Sequence, residues 1–169
     1  MSALYTPAFS RADIQLRPMV TQDESVFRGL YAEVRAPELS ATNWSAAEKQ
    51  SFCDSQYALQ DKHYRQHYAD FETWTICRHG AVIGRLYLAT FDGALTLMDI
   101  TIAAALRGGG IGTHILQDVV AQADTQQREM RLHVEPNNSA RHLYARLGFV
   151  AIGEPGIYQE MRRAPGAAM

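Results

Sequence analysis

Apolar positions recur along the chain with two different periods, and each period predicts one type of element. Alternating or uninterrupted apolar residues indicate β-strands. Seven segments have this pattern, at residues 14–17, 74–77, 82–88, 95–105, 130–134, 149–152 and 157–161. Glycine-containing turns separate neighbouring segments, as at Asp92-Gly93, and favour hairpins. The chain therefore predicts a sheet of six to seven strands.

Helical spacing of apolar positions marks four further segments. Two of them follow a capping-box signature, Thr21 with Glu24 and Ser45 with Glu48. Pro37 predicts the end of the first helix, and the polar residues 38–43 predict a loop. The second helix is predicted to continue to residue 67. The remaining two cover residues 114–126 and 139–147, and Gly148 is a suitable C-cap for the last.

The order of these elements predicts a layered arrangement. A strand, a loop, a helix and a second strand make the strands that contain Ile100 and Leu132 parallel neighbours. Antiparallel strands before this unit and a hairpin after it make the sheet mixed and mostly antiparallel. Helices on both faces complete an α+β fold of three layers. We expect a single domain over residues 1–169, with flexible ends at residues 1–12 and 163–169.

Composition and charge argue against several classes of protein. The 169 residues are 47% hydrophobic and 20% charged, which is typical of one globular domain. A net charge of -2 argues against a general nucleic-acid binder. We expect no membrane association and a cytoplasmic location, because no apolar run reaches roughly 18 residues and the N-terminus lacks a signal pattern. Cys53 and Cys77 lack C-x-x-C spacing, and we expect no metal site.

A glycine-rich stretch follows the apolar run of residues 95–105 and precedes the third helix. This glycine loop consists of Arg107, Gly108, Gly109, Gly110, Ile111, Gly112 and Thr113. Glycines allow an anion to approach the backbone, and a helix N-terminus presents free N–H groups and the positive end of its dipole. The glycine loop therefore predicts a phosphate-binding site.

Two nucleotide-binding motifs do not fit the glycine loop. A nucleoside-triphosphate loop closes with Lys followed by Ser or Thr, whereas here Thr113 and His114 follow Gly112. A dinucleotide fingerprint needs a third glycine at the position of Ile115. The pattern that remains is Arg-x-x-Gly-x-Gly, which Arg107 opens.

A second motif lies 25 residues downstream of the glycine loop. Asn138 opens a short helical segment that carries Leu143 and Tyr144 and ends at Gly148 and Phe149. Together the two motifs resemble segments of the GNAT family of N-acetyltransferases, and the similarity in strand order extends over residues 12–162. The chain is similar to small bacterial members with a single domain. The resemblance implies that the two central parallel strands splay apart.

Acetyl-CoA is the cofactor that this resemblance implies. In the family, the glycine loop binds the CoA pyrophosphate through backbone amides, and the adjoining strand pairs with the pantetheine arm. The implied contacts are Ile100, Ile102, Ala103, Ala104, Arg107, Gly108, Gly109, Gly110, Ile111, Gly112, Thr113, Asn138, Arg141 and Tyr144. Asn138 is equally interpretable as a helix N-cap, and Asn137 is an alternative to it in the motif.

The implied reaction is direct transfer of an acetyl group to a primary amine. A backbone N–H at Ile102 or Ala103 would stabilise the oxyanion. Tyr144 would protonate the leaving thiolate. The pKa of a phenol, about 10, exceeds that of a thiol, about 8.5, so a protonated Tyr is available at neutral pH. The alternative for Tyr144 is that it only packs in the core.

The general base stays open between three candidates. His133 occupies a position that holds a glutamate in the branch of the family that acetylates N-terminal amines, and an imidazole with a pKa of about 6.5 is a competent base. Asp99 is the second candidate, although it could instead hold a loop N–H or Arg85. A water relay without a single base is the third.

The family takes its acceptor specificity from the first two helices and the last hairpin. The substrate contacts that this implies are Glu38, Trp44, Gln56, Gln60, Tyr64 and Tyr158. They would suit a small cationic or hydrogen-bonding amine, and a peptide N-terminus is a second candidate. Whether the chain forms a homodimer is open. An alternative function is that of a catalytically inactive acyl-CoA sensor.

Overall fold

The computed structural model describes residues 3–8 and 11–169, which contain a seven-stranded sheet. Its strands are β1 (Ile14–Pro18), β2 (Glu72–Arg78), β3 (Ala81–Phe91), β4 (Ala94–Ile102), β5 (Met130–Val134), β6 (Val150–Ile152) and β7 (Gln159–Arg163). Their order across the sheet is β1-β2-β3-β4-β5-β7-β6. Strands β4 and β5 are parallel, and the other neighbours are antiparallel. The predicted mixed, mostly antiparallel sheet is confirmed.

Helices cover both faces of this sheet and complete the three predicted layers. In the described part of the chain they are α1 (Glu24–Leu39), α2 (Ala46–His67), α3 (Ile111–Thr125) and α4 (Ala140–Arg146). Helix α3 packs on one face, where Ile115 and Val119 are buried in one core with Leu132 of β5. Helices α1 and α2 pack on the other face, where Phe27 and Tyr87 share a second core. None of these helices is long and apolar enough to cross a membrane.

Strand β4 contains a β-bulge near its middle. Tyr87 of β3 pairs with Asp99, but the next residue, Leu88, pairs with Leu97. Met98 is therefore the additional residue on β4, and such a bulge bends the strand and increases its local twist. Its consequence here is that Asp99 lies on the same face of the sheet as Tyr87.

The parallel strands β4 and β5 separate soon after they pair. Pairing covers residues 95–97 of β4 and residues 130–132 of β5. Beyond that point β4 continues to Ile102 and β5 to Val134. We call the opening between the two unpaired ends the strand gap. The predicted splay of the central strands is confirmed, and the strand gap faces the start of α3.

The two predicted capping boxes have different outcomes. At α2 the N-cap role of Ser45 is confirmed, because Ser45 Oγ accepts a hydrogen bond of 3.1 Å from the Glu48 amide, but no return bond from the Glu48 side chain is present among the described residues. At α1 the box of Thr21 with Glu24 is wrong. A 3₁₀ turn over residues 21–23 precedes α1, and the Asp23 carboxylate accepts from the Val20 amide at 3.0 Å. The carboxylate that caps this end is therefore one position earlier than predicted.

Pro37 does not end α1, contrary to the prediction. The helix continues to Leu39, and the Ser40 amide still donates to the Ala36 carbonyl at 2.9 Å. Proline lacks an N–H, so one helical hydrogen bond is lost, but Leu39 is buried in the core between α1 and α2. Burial of this leucine favours the additional turn, and the loop occupies residues 40–45.

Residues 3–8 of the N-terminal arm, which the sequence predicts to be flexible, have contacts with the rest of the fold. Tyr5 is 1% exposed, donates to Asp118 of α3 at 2.5 Å and packs edge-on against Trp74 at 5.6 Å. The Leu4 amide donates to Glu72 at 2.6 Å. Residues 1, 2, 9 and 10 of that prediction lie outside the described residues. A tyrosine and a leucine in a short polar segment have no periodicity from which this packing could be predicted.

The C-terminal segment, also predicted to be flexible, has contacts with the rest of the fold as well. Arg163, on β7, is 1% exposed and forms an ion pair with Asp124 of α3 at 2.5 Å. Its Nε donates to the Leu147 carbonyl at 2.7 Å, and the Gly166 amide donates to Asp124 at 2.7 Å. The final segment is thus held to α3 by a buried cation whose charge is paired.

We expect Asp23→Asn to lower the free energy of unfolding at pH 7 by about 2 kcal/mol. Asp23 accepts from Arg17 at 2.7 and 2.9 Å and from buried Thr75 at 2.8 Å. These bonds, the one from Arg17 foremost, hold the pKa of the Asp23 carboxyl well below its ordinary value. The carboxylate therefore contributes stability above about pH 4, and this contribution is lost as the pH falls below that value.

Urea titrations of wild type and variant at pH 7 and pH 3 test this expectation. Asp54→Asn is the matched control, because Asp54 is half-exposed and lies 3.6 Å from Arg28. We expect the control to change stability by less than about 1 kcal/mol. An Asp23→Asn variant as stable as the wild type at pH 7 would show that the carboxylate contributes nothing.

Candidate functional site

Backbone N–H groups of β4 line the strand gap. Successive amides of an antiparallel strand point to opposite sides. The Ala103 amide donates to the Ile83 carbonyl of β3 at 2.7 Å, so the amides of Ile100 and Ile102 point away from β3 and toward the strand gap. The sequence indicated the backbone N–H groups of Ile102 and Ala103 as candidate oxyanion donors. Because the Ala103 amide is bonded to Ile83, the Ile102 amide is the one that remains available.

The residues after Ile102 are not extended, contrary to the prediction of an apolar strand to residue 105. A 3₁₀ turn covers Ala104–Leu106. The Ala104 amide donates to Glu33 Oε2 of α1 at 3.0 Å. Because the amides of Ala103 and Ala104 have protein partners, their predicted pairing with the pantetheine arm does not fit this geometry. The amides of Ile100 and Ile102 do fit it.

The glycine loop has a backbone conformation that suits anion binding, and we call this part of the site the cradle. Gly108 and Gly110 have φ values of 82° and 81°, in the left-handed region that favours glycine. Gly110 is the N-cap of α3, which begins at Ile111 rather than at residue 114 as predicted. Residues 111–113 therefore form the first turn of the helix, where N–H groups have no partner within the helix. Their placement strengthens the predicted phosphate site.

The glycine loop lies against the exposed end of β4. A Cβ atom at Gly112 would approach side-chain carbons of Ile102 and Ile100 at 3.9 and 4.0 Å. Arg107, which opens the loop, is exposed and donates through Nε to the Ile102 carbonyl at 2.9 Å. The cradle and the strand gap are thus contiguous. A single ligand with a phosphate at one end and a thioester at the other would require this arrangement.

Tyr144 is held beside the strand gap by the C-terminus of α4. The Phe149 amide donates to the Tyr144 carbonyl at 3.0 Å, and the Gly148 amide donates to the Ala145 carbonyl at 3.1 Å. This pair of bonds is a Schellman motif, which needs the left-handed φ of 94° at Gly148. Phe149 then packs against the Tyr144 ring at 6.0 Å. The Leu-Tyr and Gly-Phe elements of the second motif are therefore one structural unit.

The environment of Tyr144 favours its protonated form. Burial, together with the negative charge of Asp99, raises the pKa of the Tyr144 hydroxyl to about 12. Tyr144 packs with the core on the α3 side, whereas Asp99 pairs with Tyr87 on the α1 and α2 side. The two side chains interact across the sheet because the strand gap separates β4 from β5 between them.

Asp99 forms an ion pair with a buried arginine. Its Oδ2 lies 2.6 Å from Nε of Arg85, which is 3% exposed, and both carboxylate oxygens accept from Thr101 at 3.2 Å. The Arg85 guanidinium lies 4.7 Å from the ring centre of Tyr87 and 5.9 Å from that of Tyr57. The sequence left a loop N–H and Arg85 open as partners of Asp99, and the structure contains the contact with Arg85.

His133 lies at the mouth of the strand gap. It is exposed and follows Leu132, whose pairing with Leu97 is the last between β4 and β5. Its neighbours Leu132 and Val134 are buried on the α3 side, so the His133 side chain is on the face that carries Asp99. Glu160 of β7 pairs with it across the strands. Two of the three base candidates therefore lie on the same face of the sheet, on the two strands that border the strand gap.

Asn138 and Arg141, both predicted cofactor contacts, have partners within the protein. Asn138 Oδ1 accepts from the Ala140 amide at 2.9 Å, but the N-cap of α4 is Ser139, so Asn138 lies one position before the N-cap that the sequence predicted it to be. Arg141 donates through Nη1 to the Pro136 carbonyl at 2.6 Å, and its Nε is buried without a partner. Both residues stabilise the loop that precedes α4.

Three of the predicted acceptor contacts lie along α2. Gln56, Gln60 and Tyr64 are all half-buried. Burial, followed by the charge of Asp99, raises the pKa of Tyr64 to about 12, and Tyr158 contributes to this shift. Tyr64 is therefore within electrostatic range of the Asp99 carboxylate, and Tyr158 is within range of Tyr64.

The remaining two acceptor candidates lie around the loop between α1 and α2. Glu38 forms an ion pair with Arg35, and Trp44 packs against Phe52 at 5.3 Å. No contact between either residue and Asp99 or Tyr144 is present among the described residues.

Two residues near the cradle have no signal in the sequence. Glu33 of α1 binds the Ala104 amide, and Arg11 donates to the Gly109 carbonyl at 3.2 Å. Both belong to segments that are distant in sequence from the glycine loop, so no local spacing could indicate them. Arg85 had a signal, since it is a lone cation in an apolar run.

Residues 3–8 and 11–169 hold no group of three or more His, Cys, Asp or Glu side chains that could bind a metal ion. Cys53 and Cys77 are free and buried. The side chains near the strand gap are instead carboxylate, phenol and imidazole, which transfer protons.

A family model supports the assignment that these features suggest. The model of the acetyltransferase (GNAT) family matches residues 36–149, which include the strand gap, the glycine loop and the motif around Tyr144. The chain belongs to this acetyltransferase family.

Solved structures of this family share the fold at low sequence identity. The PaiA N-acetyltransferase from Thermoplasma acidophilum, in complex with coenzyme A, is 18% identical, with a TM-score of 0.69 over 89% of this chain and 98% of its own. The spermidine N-acetyltransferase from Vibrio cholerae, in complex with CoA and spermine, is 19% identical, with a TM-score of 0.63 and coverages of 93% and 98%. A ribosomal-protein alanine acetyltransferase from Vibrio fischeri is 16% identical, with a TM-score of 0.62 and coverages of 95% and 98%.

Proposed function

We propose that this GNAT protein is an acetyl-CoA-dependent N-acetyltransferase that transfers acetyl directly to a primary amine. The observation that carries the proposal is the half-buried Tyr144 phenol, which packs on the core at the α3 side within electrostatic range of Asp99 on β4, the strand whose end adjoins the glycine loop at Gly112. One ligand could therefore place its phosphates at the glycine loop and its thioester beside Tyr144. A sensor would need the cradle but would have no use for a proton donor at the strand gap.

The cofactor fits the residues that are present. The left-handed glycines at 108 and 110 and the free amides of residues 111–113 suit a pyrophosphate. The amides of Ile100 and Ile102 point into the strand gap, where one suits a carbonyl oxygen of the pantetheine arm and the other suits the thioester carbonyl. When bound, acetyl-CoA supplies the thioester carbonyl and the thiolate leaving group.

Three groups of the chain perform the proposed chemistry. His133 accepts the proton that the ammonium must lose before the nitrogen can attack. The Ile102 amide donates to the carbonyl oxygen as negative charge develops there. Tyr144, with a pKa of about 12, stays protonated at neutral pH and donates its proton to the departing sulfur. Asp99 is committed to Arg85 and Thr101, so it is the weaker candidate for the base.

The proposed acceptor is a primary amine of a small molecule or a peptide. Solved relatives act on both kinds, since one is named for spermidine and another for the alanine of a ribosomal protein. Tyr64, within electrostatic range of Asp99, and Tyr158, within range of Tyr64, are the proposed contacts for the carbon skeleton of the amine. A cytoplasmic location in a bacterium and formation of a homodimer remain part of this proposal.

A thiol-release assay with acetyl-CoA and a broad panel of polyamines, aminoglycosides, arylalkylamines and peptides tests the proposal. We expect amine-dependent release of CoA for at least one class. Tight binding of CoA without thiol release for any amine would instead establish the sensor, which is the second candidate. Absence of CoA binding would contradict both functions.

We expect His133→Gln to lower kcat by about 100-fold at neutral pH. The proton of the attacking ammonium then has no fixed acceptor, and added imidazole should restore part of the rate. His142→Gln is the matched control, because His142 is an exposed histidine on α4. Unchanged kcat for His133→Gln, measured with the best amine of the panel, would transfer the role to Asp99 or to water.

A further inference from the structure

Two side chains outside the glycine loop hold its backbone carbonyls. Arg11 Nη1 donates to the Gly109 carbonyl at 3.2 Å. His114 lies with Nδ1 2.7 Å from the Gly110 carbonyl. A carbonyl only accepts hydrogen bonds, so Nδ1 of His114 carries the hydrogen. The peptide units on both sides of Gly110 are therefore fixed by side chains rather than by the loop alone.

The direction of these two carbonyls determines where the loop amides point. In a trans peptide unit, the C=O of one residue and the N–H of the next point in opposite directions. Because Arg11 holds the Gly109 carbonyl on one side, the Gly110 amide points to the other. Because His114 holds the Gly110 carbonyl within the first turn of α3, the Ile111 amide points out of the helix N-terminus.

Arg11 reaches the loop from a part of the chain that is itself fixed. Residues 3–8 are anchored on α3 through Tyr5, which donates to Asp118 at 2.5 Å. Arg11 also forms an ion pair with Asp13 at 2.9 Å, and Asp13 contacts Arg78 of β2 at 3.1 Å. A glycine loop with left-handed residues on both sides of Gly109 is intrinsically mobile, so an external anchor reduces the conformational entropy that binding must remove.

We infer that Arg11 is a positioning residue for the pyrophosphate of CoA. It acts by holding the Gly109 carbonyl so that the Gly110 amide is aimed at the phosphate before the ligand arrives. The guanidinium is not assigned as a direct phosphate ligand, because Asp13 already pairs with its charge. This inference rests on the proposed function, because it assumes that the cradle at Gly110 binds the phosphate end of CoA.

Isothermal titration of CoA and of pantetheine, which lacks the pyrophosphate, tests this inference in the full chain. We expect Arg11→Met to raise the Kd for CoA about tenfold and to leave the affinity for pantetheine unchanged. Arg11→Lys keeps the charge and one donor, so we expect partial recovery of the affinity for CoA. Arg78→Met is the matched control, because it removes an arginine from Asp13 that does not contact the glycine loop.

Two results would overturn the inference. The first is equal affinity of Arg11→Met and the wild type for CoA. The second is an equal loss for CoA and pantetheine, which would indicate a general loosening of the fold. Failure of the wild-type protein to bind CoA would instead contradict the proposed function, so the two failures are distinguishable. In turnover assays, we expect Arg11→Met to raise the KM for acetyl-CoA and to leave kcat unchanged.

Discussion

Tyr144→Phe is expected to lower kcat about 100-fold while the Kd for CoA stays nearly unchanged. The substitution removes the hydroxyl but keeps the ring that packs against Phe149 at 6.0 Å. The protonated phenol is the one donor proposed for the departing sulfur, and its loss leaves water as the substitute. Steady-state kinetics with the best amine of the panel, together with CoA titration, separates turnover from binding.

Tyr64→Phe is the matched control for this prediction. Burial raises the pKa of Tyr64 to about 12, as it does for Tyr144, but Tyr64 is on α2 at the acceptor side. We expect the control to change the KM for the amine more than kcat. If Tyr144→Phe retained the turnover of the wild type, Tyr144 would be a packing residue and the acid role would be wrong.

The raised pKa of Tyr144 also determines the pH dependence of the reaction. The folded-state pKa is about 12, so the hydroxyl is protonated throughout the neutral and mildly alkaline range. We therefore expect no decline of kcat between pH 7 and pH 10 that depends on Tyr144, since such a decline would start near its pKa. The same pH profile for Tyr144→Phe shows whether any alkaline decline belongs to this residue.

Gly110→Asp is expected to weaken CoA binding roughly 100-fold. Gly110 has a φ of 81°, where a side chain is strained, and a Cβ atom would lie 3.5 Å from the His114 ring. The carboxylate would add a negative charge where the pyrophosphate is expected to bind. Calorimetric titration of CoA measures the effect directly.

Gly80→Asp is the control for the loss of stability that a strained backbone causes. Gly80 has a φ of 79° in the turn between β2 and β3, and no atom lies within 4 Å of a Cβ atom added there. We expect this control to lose stability but to bind CoA as the wild type does. Unchanged affinity of Gly110→Asp would show that the phosphate binds elsewhere.

Periodicity and connection rules were sufficient to predict most of the fold. The strand, loop, helix and strand around the glycine loop require a right-handed crossover, and β4 and β5 are indeed parallel neighbours. The errors occur where tertiary packing overrides a local rule. Burial of Leu39 carries α1 past Pro37, and Tyr5 and Arg163 are buried in segments that lack helical or strand periodicity or are predicted to be a free end.

The candidate site was predictable where its residues are local in sequence. The glycine loop and the motif around Tyr144 are continuous segments, so their spacing carries a signal. Arg11 and Glu33 reach the same region from distant segments, and no local pattern indicates them. The sequence alone did not exclude the Ala103 amide as an oxyanion donor, because only the strand register shows that a carbonyl of β3 already accepts its hydrogen bond.

Transfer of labelled acetyl from acetyl-CoA to an amine nitrogen tests the central claim most directly. Mass spectrometry of a single turnover follows the label in the amine, in CoA and in the protein. We predict N-acetylated amine and free CoA in equal amounts, with no acetylated protein on the pathway, and loss of this product in Tyr144→Phe. Bound acetyl-CoA that stays intact with every amine, or a label that passes through a protein side chain, would contradict the account.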